Sequence, residues 1–173
     1  ITSGYSQDFN LQLRSTMEFP GTSLANICGY ASNGHEYALI GASSELIIVD
    51  VTDPDNPVNI VTIPGSPGGR EIKTYGHYAY DVCSCSDAIL IVDLNTMHDP
   101  NPVYHYFTGL GQFPDSSAYV LNMHTLHIDV KKGFLYTFGG SLSSGNSVGA
   151  VVFDLNSDPY NPVFAGIVDP GYI

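Results

Sequence analysis

Basic residues are scarce in this chain: five Lys and Arg stand against 17 Asp and Glu, which gives a formal net charge of −12. A surface that binds nucleic acid needs clustered Lys and Arg to neutralise phosphates, and binding to an anionic membrane surface needs the same cluster. The charge balance therefore argues against both as partners.

Long apolar runs and helical periodicity are also lacking. No run approaches the roughly 20 residues of a membrane-spanning helix, so we expect a chain that is not membrane-spanning. No window repeats apolar residues at helical spacing with a cap. Short runs of Val, Ile, Leu, Tyr and Phe instead alternate with Gly, Pro, Asn and Asp, which predicts an all-β protein. The acidic, Gly- and Pro-containing composition, without Trp, is typical of secreted β-proteins.

Cysteine is limited to Cys28, Cys83 and Cys85. Their spacing matches neither a redox CxxC pair nor a zinc site. In an oxidising compartment we expect a disulfide from Cys28 to Cys83 or Cys85, and buried free thiols are the alternative.

One pattern occurs three times. It reads ELIIVDVTDPDNPV from Glu45 to Val58, AILIVDL followed by DPNPV between Ala88 and Val103, and AVVFDLNSDPYNPV from Ala150 to Val163. Each copy has an apolar run, an Asp, a further aliphatic residue and a turn that closes on Pro-Val. Four strands within about 40–50 residues is the period of a propeller blade.

The repeat predicts the organisation of residues 1–173 as one propeller segment. We expect a partial β-propeller made of three four-stranded antiparallel blades of a larger ring. Blade 1 is expected over 20–64, blade 2 over 65–108 and blade 3 over 119–169, with an extra strand over 11–19 and the start of the next blade over 170–173. The Asp that follows each apolar run, at Asp50, Asp93 and Asp154, favours turn capping, since no EF-hand loop accompanies it.

The apolar runs Leu46–Asp50 and Ile89–Asp93 closely resemble the LVIVD repeat. Tyr37–Gly41, Arg70–Tyr80 and His124–Asp129 look like the flanking sequence of the choice-of-anchor B family. The resemblance implies a secreted or cell-surface β-propeller that is usually longer than this chain, and it implies no reaction. Because three blades cannot close a ring, we expect a fragment whose ring is completed by the remaining blades or by a second chain.

The strongest candidate site is His124-x-x-His127-x-Asp129, on the strand expected nearest the propeller axis. Aligning Phe134 with Tyr78 places His127 in register with Glu71. Imidazole and carboxylate together suit a divalent metal, so His127, His124 and Glu71 are the predicted metal ligands. Two histidines three residues apart face opposite ways on a regular strand, and the alternative is that they are structural or line the channel.

Two functions follow from these observations. The first is a non-enzymatic extracellular interaction, adhesion or surface-assembly module with a protein or surface glycan partner. Tyr104 and Tyr160 on loops are candidates for lining its binding face. The second is a metal-dependent enzyme with a site in the central funnel. No catalytic residue is assigned, and no cofactor beyond the candidate divalent metal.

Overall fold

The computed structural model of the chain describes residues 11–64, 71–83, 88–145 and 147–168. Strands dominate, and the only helix in these ranges is a short 3-10 turn over Leu94–Thr96. Within the described ranges, no helix has both the length and the apolar character needed to cross a membrane. The strands are β1 (Leu24–Ser32), β2 (His35–Ala42), β3 (Glu45–Asp50), β4 (Val58–Pro64), β5 (Glu71–Tyr75), β6 (Tyr78–Val82), β7 (Ile89–Asp93), β8 (Tyr104–Phe107), β9 (Val120–Asn122), β10 (Thr125–Asp129), β11 (Phe134–Leu142), β12 (Ser147–Asp154) and β13 (Val163–Val168).

These strands form three antiparallel sheets in which sequence neighbours pair. Sheet 1 has the order β1-β2-β3-β4, sheet 2 has β5-β6-β7-β8, and sheet 3 has β10-β11-β12-β13. The expectation of four strands in every sheet is wrong for sheet 3, because β9 also pairs with β11. Strand β11 runs on to Leu142, and its end gives Val120–Asn122 an edge to pair with.

The sheets pack face to face, and each has a forward face toward the next sheet in sequence and a rear face toward the previous one. Between sheets 1 and 2 lies an apolar layer that includes Leu39, Ile48, Ile72 and Leu90. Between sheets 2 and 3 lies a second layer that includes Tyr80, Ile91, Leu126 and Phe153. The repeated apolar runs are nearly continuous because both faces of β3 and β7 are buried.

Residues 11–19 form no strand, which corrects the expectation of an extra strand there. The segment instead lies across the rear face of sheet 1, where Met17 and Phe19 pack against Ala42, Ile47 and Val49. Two side chains tie its start to the β3–β4 turn: Arg14 is paired with Asp55, and the Ser15 hydroxyl donates to the Pro54 carbonyl oxygen at 2.7 Å. We call residues 11–22 the strap. The expected strand over 170–173 lies outside the described residues.

The repeated Asp residues close turns, as predicted. Asp50, Asp93 and Asp154 each accept a hydrogen bond from the backbone N–H two residues ahead, at 2.8, 2.9 and 2.7 Å. A carboxylate that satisfies a turn N–H in this way stabilises the chain reversal after a buried strand.

The Asp-Pro-x-Asn-Pro segments have a second device. Asp53 accepts from the Asp55 N–H at 3.0 Å and from the Asn56 side-chain amide at 2.8 Å. Asp158 repeats both bonds with Tyr160 and Asn161, at 2.9 and 2.8 Å. The same sequence therefore gives the same turn geometry in sheets 1 and 3.

The expected disulfide from Cys28 is wrong. Cys28 is a free, half-buried thiol, whereas Cys83 is disulfide-bonded. Cys85, the other residue named in that expectation, lies outside the described residues. The apolar layer between sheets 1 and 2 takes in Cys28, so packing accounts for its position.

Candidate functional site

The three sheets approach one another through their first strands, because β5 contacts β1 on one side and β10 on the other. Strand pairing defines which residues of these inner strands are equivalent. Tyr37, Tyr78 and Phe134 each lie opposite the Asp that ends the third strand of their sheet. Counting from these pairs gives three layers: Asn26, Glu71 and Thr125; Cys28, Lys73 and His127; Tyr30, Tyr75 and Asp129.

This register corrects the predicted alignment of His127 with Glu71. His127 is equivalent to Lys73, and Glu71 is equivalent to Thr125. The physical reason is turn length. Tyr75 pairs directly with Tyr78 across a two-residue turn, whereas Asp129 pairs with Phe134 across a longer one. Two additional turn residues shift the inner strand of sheet 3 by two positions.

Glu71 lies between two inner strands and uses its carboxylate there. One oxygen accepts from Lys73 Nζ at 2.5 Å, and the other accepts from the Thr125 hydroxyl. The second contact joins β5 to β10. Glu71 is therefore a link between sheets 2 and 3.

His127 and His124 are both exposed. His127 lies on the forward face of sheet 3, and its ring is 6.4 Å from the Tyr136 ring. His124 precedes β10, and its N–H donates to the Phe138 carbonyl oxygen at 2.9 Å. In the described ranges, no three His, Cys, Asp or Glu side chains are grouped as metal ligands would be. The metal site over His127, His124 and Glu71 stays a prediction.

Asp81 is a buried carboxyl group that sequence reasoning missed. It lies in β6, only 1% exposed, and neither of its oxygens has a hydrogen-bond partner. Burial raises its pKa to about 7. The equivalent residues are Ile40 in sheet 1 and Thr137 in sheet 3, so the signal was an acidic residue where the repeat has an uncharged one.

The amide oxygen of Asn26 is also buried without a partner. Asn26 pairs with Gly41 on the forward face of sheet 1, and Asp81 pairs with Ile72 on the rear face of sheet 2. Both unpaired groups thus belong to the layer between the first two sheets.

The Cys28 thiol is not activated. Burial raises its pKa, Lys73 lowers it and Glu71 raises it again, and the burial effect is the largest. A thiol with a raised pKa is mostly protonated at neutral pH, so it is a weak nucleophile.

A second candidate site lies at one end of the strands. In sheet 1 this end holds the β1–β2 and β3–β4 connections, and sheets 2 and 3 have their equivalent connections at the same end. We call this edge the turn end. A cleft of about 470 Å³ runs along β1 toward it. Its lining includes Tyr30 and Tyr37, whose stacked rings are 6.1 Å apart, together with Glu36.

Aromatic and imidazole groups continue along the turn end. The Tyr37 hydroxyl is 3.2 Å from His98 Nε2 in the β7–β8 connection. The Tyr160 ring lies 5.6 Å from Tyr78 and 4.3 Å from His105. Tyr160, a candidate for lining a binding face, thus packs in the contact between sheets 2 and 3. Partly exposed aromatic rings can stack on apolar surfaces, and carboxylates can accept hydrogen bonds from hydroxyl groups.

No protein-family model matches the chain, and no curated protein matches it by sequence. A solved structure that it resembles is the periplasmic gluconolactonase of Pseudomonas aeruginosa, with a TM-score of 0.56 and 14% sequence identity. The alignment covers 86% of this chain and 41% of that chain, so this chain spans less than half of its neighbour's length. At this identity the likeness concerns the fold alone, and it supports a fold of the β-propeller kind.

Proposed function

We propose that the chain is a β-propeller segment that acts outside the cell, secreted or at the cell surface, as a non-enzymatic interaction, adhesion or surface-assembly module. We propose further that it belongs with the LVIVD-repeat, choice-of-anchor B proteins that its repeats resemble. The periplasmic location of its structural neighbour is consistent with a location outside the cytoplasm.

The three sheets are proposed to be three blades of a larger ring. Rings of this fold have about 4–8 blades, and three sheets leave both ends of the stack open. The remaining blades come from further chain or from a second molecule.

The observation that carries the interaction role is the cleft at the turn end. Tyr30 contributes an aromatic ring to its lining, and Glu36 contributes acceptor oxygens. Aromatic rings and a carboxylate in the lining of one cleft suit the apolar faces and hydroxyl groups of a sugar. The proposed partner is therefore a surface glycan, and a protein presenting similar groups is the other outcome.

The test measures binding of the purified, labelled chain to a panel of immobilised glycans and to extracellular matrix proteins. We expect saturable binding to a glycan that weakens about tenfold in Tyr30→Ala, because a stacking face is lost. Tyr106→Ala is the matched control, since this exposed tyrosine lies on β8 outside the cleft. Thermal melts of both variants check folding. Absence of saturable binding to any member of the panel would contradict the role.

The alternative function is a metal-dependent enzyme with its site on the inner strands. One support is the position of Glu71, which bonds Thr125 across the contact between β5 and β10. The other is that the structural neighbour is a gluconolactonase, and this is an analogy at the level of the fold. Elemental analysis after incubation with Zn²⁺ and Mn²⁺, and a hydrolysis assay on glucono-δ-lactone, separate the two. Stoichiometric metal with turnover that His127→Ala abolishes would favour the enzyme.

A further inference from the structure

The layer between sheets 1 and 2 contains a buried carboxyl group in apolar surroundings. Asp81 pairs with Ile72 and Leu90 in its own sheet and lies on the rear face of sheet 2, which packs against sheet 1. It is 1% exposed, and both of its carboxylate oxygens are buried without a hydrogen-bond partner. Its neighbours Ile72, Ala79 and Leu90 are fully buried. Buried charges in proteins are normally paired with an opposite charge or coordinate a metal ion.

The described part of the chain offers no Lys or Arg side chain to this carboxylate. Arg14 is held by its ion pair to the β3–β4 turn. Lys73 lies on the opposite face of sheet 2, where it is paired with Glu71. Lys131 and Lys132 lie in the β10–β11 connection of sheet 3. The counter-charge of Asp81 therefore has to come from the solvent.

A second unpaired oxygen faces the same layer from sheet 1. The amide oxygen of Asn26 is buried without a partner on the forward face of that sheet. Asn26 pairs with Gly41, which adds no side chain to this part of the layer. Strand β5, which carries the Ile72 partner of Asp81, contacts both β1 and β2. Asp81 and Asn26 thus belong to strands that meet between the two sheets.

The carboxylate is a departure from the repeat. The equivalents of Asp81 are Ile40 in sheet 1 and Thr137 in sheet 3, and neither carries a charge. Thr137 is buried too, but its hydroxyl donates to the Val151 carbonyl oxygen at 3.3 Å. An ionised carboxylate and an amide oxygen only accept hydrogen bonds, so the oxygens of Asp81 and Asn26 cannot satisfy each other. A cation can satisfy both.

We propose that Asp81 binds a monovalent alkali cation, Na⁺, in the layer between sheets 1 and 2, with the amide oxygen of Asn26 as a second ligand. Carboxylate and carbonyl oxygens are the ligands that hard cations prefer. A single positive charge neutralises one carboxylate, whereas a divalent ion would leave a net charge in an apolar layer. Hard cations complete their coordination with backbone carbonyl oxygens and water, so this site needs no cluster of three His, Cys, Asp or Glu side chains.

The test measures thermal unfolding of the whole chain at pH 8.5 while NaCl replaces choline chloride stepwise at constant ionic strength. At this pH the carboxyl group of Asp81, whose pKa is about 7 in the fold, is ionised. Constant ionic strength keeps the screening of surface charges the same. A ligand that binds only the folded state stabilises it by mass action. We therefore expect the folding equilibrium constant to rise about tenfold for each tenfold increase in Na⁺ above the dissociation constant.

Substitutions assign the response to the site. Asp81→Asn should abolish it, because the amide has no charge for the cation to neutralise. Asp81→Thr, which installs the residue that sheet 3 has at this position, should also abolish it and serves if the first variant fails to fold. Asp115→Asn is the matched control and should keep the full response, since Asp115 is exposed and bonds within its own turn. Asn26→Ala should shift the response to higher Na⁺ concentration.

Three results would overturn the inference. Equal stability in NaCl and choline chloride would show that Na⁺ has no site in the fold. A response to Na⁺ that both Asp81 variants keep would place the ion elsewhere. A response to micromolar Ca²⁺ with none to Na⁺ would contradict the monovalent assignment. Glycan binding at the cleft along β1 uses neither Asp81 nor Asn26, so the inference and the proposed function fail separately.

Discussion

The carboxyl group of Asp81 carries a free-energy cost that its counterparts in the repeat avoid. It has no hydrogen-bond donor and almost no contact with water, so its ionised form is strongly disfavoured. With a pKa of about 7 in the fold, against an ordinary value of 3.8, the group binds a proton that the unfolded chain releases. Because the unfolded state loses that proton at lower pH, the cost of burying Asp81 grows from about pH 4 to about pH 7 and is constant above.

Asp81→Asn should therefore remove a pH dependence. In the unmodified chain the penalty from this group amounts to about 4 kcal/mol of unfolding free energy at neutral pH and vanishes below about pH 4. Urea unfolding across that range, for the chain and for Asp81→Asn, gives the comparison. We expect the stability of the variant to fall less as the pH rises. Asp115→Asn, an exposed turn carboxylate, should leave the slope unchanged in this window. Parallel curves for the chain and Asp81→Asn would contradict the assignment.

Individual residues were predictable where the repeat repeats them. The role of Asp50, Asp93 and Asp154 as turn acceptors followed from their position after an apolar run. The burial of Asp81 without a hydrogen-bond partner was not predictable, because a strand pattern shows which face a residue lies on and does not show whether that face provides a hydrogen-bond donor. For Cys28 the sequence left a disulfide and a free thiol open, because two cysteines on neighbouring strands need not have the bonding geometry of a disulfide, and the structure shows the free thiol.

At the scale of the element, the length of the turns determines the register of the inner strands, which the strand sequences alone do not determine. The strand runs of all three repeats were readable from apolar stretches between turn residues. The register of the inner strands was not, because it depends on how many residues each hairpin connection holds. Two additional residues before Phe134 moved His127 out of the layer of Glu71. The strap was predicted as a strand because its apolar residues alternate like those of a strand, but they pack on the rear face of sheet 1 without pairing at its edge.

The Asp-Pro-x-Asn-Pro turn makes a prediction at this scale. Asp158→Ala removes the acceptor of the Tyr160 N–H and the Asn161 amide, and it should cost about 1 kcal/mol of unfolding free energy. Those hydrogen bonds lower the pKa of Asp158, so its contribution is present above its ordinary pKa and is lost on acidification.

The comparison for this substitution comes from the other repeats. Asp53→Ala should also lower the stability of the chain, since Asp53 makes the same pair of bonds. Asp99→Ala should cost less, because the backbone N–H of Asp99 bonds the Thr96 carbonyl oxygen at 2.9 Å, and alanine keeps that bond. Equal losses at Asp99 and Asp158, measured by urea unfolding at neutral pH, would refute the role of the turn carboxylate.

For the whole molecule, position in the stack decides what a residue contributes. Ile72 and Ile27 are equivalent in the repeat, but a preceding sheet covers only Ile72. Ile72→Ala should cost about 3 kcal/mol by the loss of a buried side chain and the cavity it leaves, and Ile27→Ala should stay within about 0.5 kcal/mol. Denaturation midpoints of the two variants provide the measurement, and similar losses in both would mean that the rear face of sheet 1 is covered.

The pairing of consecutive strands bears on how the chain is made. Because β1 to β4 form sheet 1 before any residue of sheet 2 is needed, a ribosome can release each sheet complete and in order. A nascent chain halted after Phe107 would already hold two packed sheets and would expose Tyr80 and Ile91 to the cytosol or translocon until sheet 3 arrives. The speed of translation through residues 108–168 thus sets how long the apolar face of sheet 2 stays exposed before sheet 3 covers it. The nascent chain should be most prone to aggregation when translation pauses in that range.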